Sequence, residues 1–188
     1  HQLLLAHLHT ALPQFRRELI HRIFQEAIAG VSMEALRDLH HAWGHLSGLS
    51  LVDPSQEELE FALTQFKNLS YLSIKGGTLD LSGLCEFLGE IELVGVESQG
   101  RSAFDFNMAT GLFMQECYGV KSLSAPRAKR VRLNGLLELK ELEVEKCRCL
   151  WAQRCHTLSK LDLPLASSLH VRECRVLTYI KAPFVKAT

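Results

Sequence analysis

The sequence predicts an α/β solenoid with an N-terminal helical cap over residues 1–45 and repeated strands over residues 46–188. Two observations indicate this class. Leu accounts for 34 of the 188 residues, whereas aromatic residues make up only 7%. The second half of the chain also repeats one apolar pattern every 19 residues. Self-similarity at a fixed period is typical of a chain that winds into successive turns and buries each turn against its neighbours.

Composition and charge exclude several classes of protein. The 21 Lys and Arg residues balance 21 Asp and Glu residues, which argues against nucleic acid as the main partner. No apolar run approaches about 18 residues, so no transmembrane helix is predicted. The apolar residues 3–6 lack a basic segment before them and are interrupted by His7, so no signal peptide is predicted.

The N-terminal 45 residues are predicted to be helical. Residues 2–12 and 14–29 form two predicted helices separated by Pro13, and Gly30 ends the second. Ser32 is expected to cap a third helix. Its inward residues would be Ala35, Leu36, Leu39 and Trp43. We interpret the segment as a cap, because an open end of the solenoid would expose strand edges and apolar side chains.

An alternative for this segment is an F-box. Leu12-Pro13, the run from Glu18 to Phe24, and then Leu36 and Trp43 resemble the F-box pattern L-P…E-L-x-x-x-I-F…L…W. Three extra residues before Glu18 depart from that pattern. The resemblance implies docking onto a Skp-type adaptor of a ubiquitin ligase. The residues it implicates are Leu12, Pro13, Leu19, Ile23 and Phe24.

The repeated strand has the pattern A-x-x-L-x-V, whose two larger apolar residues face the same side because strand residues alternate. Four copies lie 19 residues apart, with the apolar pairs Leu112/Met114, Val131/Leu133, Leu150/Ala152 and Leu169/Val171. Three earlier copies carry Leu49/Leu51, Leu72/Ile74 and Ile91/Leu93. We therefore expect seven short strands whose apolar pairs form columns in the core.

The segment that returns the chain from one strand to the next is predicted to change along the sequence. In the first repeat, Asp53-Pro54 reads as a helix start, and Leu59, Leu63 and Phe66 lie on one helical face. The late repeats have no room for a long helix, so their return is predicted to be a second strand ended by Pro. The second apolar pairs are Phe104/Phe106, Leu123/Ala125, Leu142/Val144, Leu161/Leu163 and Ile180/Ala182, followed in three repeats by Pro126, Pro164 and Pro183.

The combined pattern L-x-x-L-x-L-x-x-[N/C]-x-x-L resembles the leucine-rich repeat family over residues 46–188. With Cys in the Asn column and Leu-Pro endings, the late repeats look most like those of bacterial leucine-rich-repeat effector proteins. Variable repeat lengths and the lack of Asn in that column are departures. The resemblance implies protein recognition within a virulence effector that is secreted into a host cell and works in its cytoplasm. It also allows a ligase domain after Thr188, which would link the chain to the ubiquitin system.

No metal, cofactor or catalytic site is predicted within these residues. Cys117, Cys147, Cys155 and Cys174 fall in inward columns, whereas Cys149 points outward, so zinc ligands would have to converge from different faces. Periodic Cys residues indicate free thiols in a reducing compartment. A His pair at positions 41 and 45 lacks the Glu of an H-E-x-x-H motif. G-x-S-x-G, P-loop and G-x-G-x-x-G motifs are absent, so the fragment is not predicted to be an enzyme.

The outward strand positions are the predicted partner-binding surface. Aromatic and Arg side chains on an exposed ladder are typical of protein-binding hot spots, and an exposed Trp has no role in the core. The predicted contact residues are Phe113, Arg130, Arg132, Trp151, Gln153, His170 and Arg172. The return face is predicted to be acidic, with Asp105, Glu141, Glu143, Glu145 and Asp162. Three alternatives remain: an ordinary solvated sheet whose Trp packs on a neighbouring side chain, phosphate binding by the Arg pair, and a purely structural segment of a larger solenoid.

Overall fold

The computed structural model describes residues 32–185, which form an α/β fold with a seven-stranded parallel sheet and few helices. Helix α1 (Met33–Trp43) begins after Ser32, whose side chain accepts a hydrogen bond from the Ala35 amide, so the predicted cap is confirmed. Leu36 is buried and Leu39 packs against the core, but Ala35 is exposed and its predicted inward position is wrong. The two earlier predicted helices lie outside the described residues.

All seven predicted strand segments form the large sheet, in chain order and in parallel. With strands numbered β1 to β14 along the chain, they are β1 (Gly48–Val52), β2 (Tyr71–Lys75), β4 (Glu90–Val94), β7 (Gly111–Gln115), β9 (Arg130–Asn134), β11 (Cys149–Gln153) and β13 (Ser168–Arg172). Each strand pairs with the next without offset. The second and fourth residues of the first six strands are buried, which confirms the predicted inward columns.

The residue that follows each of these strands adopts a left-handed backbone conformation. The φ angles are 48° at Asp53, 75° at Gly76, 65° at Gly95, 52° at Glu116, 69° at Gly135, 53° at Arg154 and 56° at Glu173. For the first six, the amide donates to the carbonyl of the last residue of the neighbouring strand; the Glu116 amide, for example, donates to Asn134 at 2.8 Å. This column therefore extends the ladder by one residue and turns the chain out of the sheet.

The first return segment contains helix α2 (Gln56–Gln65), as predicted, but its cap differs. Ser55, and not Asp53, is the N-cap, and it forms a capping box with Glu58. Asp53 follows β1 in a left-handed conformation, whereas the N-cap residue Ser55 has the extended backbone typical of N-caps. The next return segment contains a 3-10 helix (Leu81–Glu86) after a short strand. The Ser82 amide donates to the Asp80 carboxylate there and lowers the pKa of that carboxyl group.

The later return segments are extended, as predicted. Two short strands, β3 (Thr78–Leu79) and β5 (Glu97–Ser98), pair with each other. Strands β6 (Ala103–Asp105), β8 (Ser122–Ser124) and β10 (Glu141–Glu143) form a three-stranded sheet, and β12 (Lys160–Asp162) pairs with β14 (Tyr179–Lys181). The return strands therefore form separate small sheets, whereas the large sheet is continuous.

The core lies between the large sheet and the return segments. The Phe104 and Phe106 rings stack there, with centroids 6.0 Å apart and an interplanar angle of 11°. Burial decreases at the last described strand: Ile180 of β14 is 48% exposed although its counterpart Leu161 of β12 is buried, because no described strand follows to cover it. Among the described residues, no helix has the length and apolarity needed to cross a bilayer.

Candidate functional site: the outward face of the large sheet

Four of the predicted contact residues form one row across the large sheet. Phe113, Arg132, Trp151 and His170 are the middle residues of β7, β9, β11 and β13, and the pairing register sets each directly opposite the next. Neighbouring strands lie about 4.8 Å apart, so side chains at equivalent positions are in contact range. We call these four residues the central row.

Three side chains of the central row, those of Arg132, Trp151 and His170, form a chain of contacts. The Arg132 guanidinium carbon lies 5.0 Å from the centroid of the Trp151 ring, in cation–π geometry. On the other side, the Trp151 and His170 rings have centroids 4.3 Å apart and are tilted by 41°. Trp151 nevertheless remains 40% exposed. Its outward position is confirmed, and it also packs on neighbouring side chains as one of the alternatives expected.

Arg130 lies outside the central row and forms an ion pair with Glu90, two strands away. The strand between them carries Gly111 at the corresponding position, which leaves space for the Glu90 side chain. A Cβ at Gly111 would lie 3.2 Å from the Glu90 Cγ atom. Glu90 was not among the predicted contact residues. The signal that could have indicated this contact is Gly111, which lies between two strands that carry long charged side chains at the same position.

The remaining predicted residues lie along one edge of the row. Gln153 and Arg172 are the paired last residues of β11 and β13. Arg172 pairs with Glu173, with Nε 3.1 Å from Oε1. The adaptor-binding residues implied by the F-box resemblance, Leu12, Pro13, Leu19, Ile23 and Phe24, lie outside the described residues.

A small cavity of about 110 Å³ adjoins the central row. Glu92 and Arg132 lie at its two sides, with Phe113 between them, and Gln115 and Asn134 complete the polar lining. Glu92 also accepts a hydrogen bond from the Tyr71 hydroxyl. Glu92 was not among the predicted contact residues. It lies on β4, where the outward face becomes acidic beside the basic and aromatic positions of β7 to β13.

Charge is distributed unevenly over the outward face. The twelve outward positions of β7, β9, β11 and β13 hold three Arg, one His and no carboxylate. The corresponding positions of β1, β2 and β4 hold two Glu and one Lys. The return face is less uniformly acidic than predicted, because Lys160 and Lys181 lie among the carboxylates, and Lys181 Nζ is 3.7 Å from Asp162.

The cysteines follow the predicted register. Cys117, Cys147 and Cys155 are buried, Cys174 is half-buried at the last turn, and Cys149 is exposed. Burial raises the pKa of Cys117 and of Cys147 to about 11, and that of Cys155 to about 12. Within residues 32–185, no three His, Cys, Asp or Glu side chains converge on a metal-sized site.

Thiol labelling is expected to separate these cysteines. In the folded protein at about pH 8, iodoacetamide should modify Cys149 well before Cys117, Cys147 or Cys155. The reactive species is the thiolate. Burial keeps the reagent away from those three thiols and, by raising their pKa, keeps them protonated. Pulsed alkylation followed by peptide mass spectrometry measures this order. Modification of Cys155 as fast as Cys149 would contradict the inward assignment, and denatured protein provides the reference rate.

Comparisons with protein-family models, with curated proteins and with solved structures found no match to the chain.

Proposed function

We propose that the chain is a leucine-rich-repeat solenoid that recognises a partner protein through the outward face of its large sheet. The observation that carries the proposal is the central row, in which an Arg, a Trp and a His contact one another on exposed, register-matched strands. Trp and Arg are enriched among the hot spots of protein interfaces. Here Arg132, Trp151 and His170 are exposed on the sheet face opposite the core, where a partner can reach them.

The solenoid assignment is supported by the way the chain returns to the sheet. Successive strands of the large sheet begin 19 to 23 residues apart and pair without offset. The residue type of each inward column is repeated from strand to strand, as in a fold whose units bury apolar surface only against their neighbours. The effector assignment depends on the Cys column and the Leu-Pro endings, and it remains a proposal with the host cytoplasm as its site of action.

A rigid sheet face suits recognition because little ordering is needed on association. The side chains of Arg132, Trp151 and His170 are already held by ring contacts, so fewer rotamers would be lost when a partner binds. The phosphate-binding alternative has less support, since Glu90 neutralises Arg130 and phosphate-tracking surfaces carry more cations.

We expect Trp151→Ala to weaken partner binding at least tenfold while hardly changing thermal stability. The indole is partly exposed and belongs to no inward column, so its removal deletes contact area for a partner and leaves the core packing intact. Short peptides selected from a random display library on the wild-type chain supply a ligand. Their affinities are then measured for both proteins by isothermal titration, and thermal unfolding is followed by circular dichroism.

Leu88→Ala is a suitable control, because Leu88 is also an exposed large apolar residue but lies outside the large sheet. It should leave peptide affinity unchanged. A large loss of stability in Trp151→Ala with unchanged affinity would contradict the proposed site, as would peptides that map by NMR to the return strands.

The ubiquitin-adaptor alternative stays a prediction, because the residues that carry the F-box resemblance lie outside the described range. Direct binding of the full chain to a purified Skp-type adaptor, lost in Pro13→Ala with Leu19→Ala, would favour it over recognition by the sheet alone.

A further inference from the structure

We propose that the central row binds an acidic segment of its partner, with Arg132 as the anchor for a carboxylate. The inference rests on the proposed function and specifies the chemistry of the partner. Its evidence is the state of Arg132, the distribution of charge around it, and the apolar surface beside it.

Arg132 is oriented but not neutralised. Each of three other arginines near the large sheet has a carboxylate partner: Arg130 with Glu90, Arg154 with Glu116 and Arg172 with Glu173. Arg132 is exposed and has no carboxylate partner within residues 32–185; its guanidinium instead lies over the Trp151 ring. Stacking covers one face of a guanidinium and leaves the N–H groups at its edge able to form two parallel hydrogen bonds to a carboxylate.

The surroundings of Arg132 favour an anion on one side. No carboxylate occupies an outward position of β7, β9, β11 or β13. Lys129 and Arg148, which immediately precede β9 and β11, are exposed and add positive charge. Glu92, on the far side of Phe113, repels a second carboxylate. The acidic part of a ligand should therefore lie over β9, β11 and β13 and avoid β4.

The central row also offers apolar contact next to the anchor. The exposed part of Trp151 lies between Arg132 and His170, so a residue adjacent to the bound carboxylate would meet an aromatic surface. The unpaired Arg132 guanidinium, with aromatic rings beside it, therefore suits a partner segment in which one Asp or Glu is next to an apolar residue. Phosphopeptide recognition uses a cluster of arginines, whereas Arg130 and Arg172, the other arginines at outward positions of the large sheet, are already paired.

The test uses the full chain and peptides selected on it from a random display library. Selected sequences should be enriched in Asp or Glu next to an apolar residue. A synthetic peptide of that kind should bind Arg132→Gln at least tenfold more weakly than wild type, because a charge-assisted hydrogen bond is lost. Arg132→Lys should bind the peptide with intermediate affinity, since Lys keeps the positive charge but cannot form two parallel hydrogen bonds to a carboxylate. Arg127→Gln is the matched control: Arg127 is exposed, lies off the large sheet, and has no ion pair among the described residues.

The outcomes separate this inference from the proposed function. Selected peptides that need Trp151 but carry no charge would overturn the proposal of an acidic partner. Peptides that bind equally well after Glu→Gln in the peptide would do the same. Either result would leave the sheet face as the binding surface. The same holds if phosphoserine is required in place of the carboxylate. Peptides insensitive to both Trp151→Ala and Arg132→Gln would overturn both proposals. Thermal unfolding of Arg132→Gln near the wild-type midpoint excludes misfolding as the cause of lost binding.

Discussion

Phe106→Ala is expected to destabilise the protein by roughly 3–5 kcal/mol, the range for truncating a buried Phe. The Phe106 ring is fully buried on the return side and stacks on Phe104, so its loss leaves a cavity that neighbouring strands close only in part. The free energy of unfolding is measured by urea denaturation monitored by circular dichroism.

Phe113→Ala is the matched control, since it removes the same side chain from an outward position. Phe113 is only half-buried, so the expected loss is about 1 kcal/mol or less. Similar losses for the two variants would contradict the assignment of inward and outward positions on which the candidate site depends.

Gly89→Ala is expected to cost about 3 kcal/mol of stability, at the upper end of overpacking. An added Cβ would lie 2.4 Å from the Ser70 carbonyl oxygen and 2.8 Å from the Phe87 ring. The Ser70 contact is with backbone, and that carbonyl accepts the Glu90 amide at 2.9 Å, so relief of the clash separates β2 from β4. Urea denaturation again gives the free energy of unfolding.

Gly95→Ala serves as a control that separates the cost of steric crowding from the cost of an unfavourable backbone conformation. Gly95 has a φ of 65°, which disfavours Ala by about 1–2 kcal/mol, but an added Cβ there meets nothing within 4 Å. The loss should be smaller than for Gly89→Ala, whose backbone is not left-handed. A smaller loss of stability for Gly89→Ala than for Gly95→Ala would contradict this expectation. It would mean that β2 and β4 can accommodate the added Cβ without losing their hydrogen bonds.

The strands of the large sheet were predictable because a strand buried on one side needs an apolar residue at every second position, and this alternation is visible in the sequence. Leu112/Met114 and its counterparts are apolar for that reason, and their 19-residue spacing fixed both strand position and pairing register. The switch from helical to extended return segments followed from repeat length. The central row was predictable by the same argument, since a constant register aligns Arg132 with Trp151.

The left-handed column was not predictable, because its residues share a backbone conformation and no side-chain chemistry. Asp53, Glu116 and Arg154 occupy it as well as Gly. Reading Asp53 as a helix cap was wrong for that reason: a short acidic residue before Pro54 suits either role. The ion pairs of Arg130 and Arg154 were equally hidden, since each depends on a carboxylate two strands away.

Two ion pairs connect strands that are not neighbours in the sheet. Glu90 reaches Arg130 across Gly111, and Glu116 reaches Arg154 across Gly135, with Arg154 Nη2 3.0 Å from Glu116 Oε1. Exposed ion pairs contribute at most about 1 kcal/mol each, so total stability changes little. Their consequence lies in cooperativity: one joins β4 to β9 and the other joins the ends of β7 and β11, so each links two strands that do not pair directly and opposes fraying between β4 and β11.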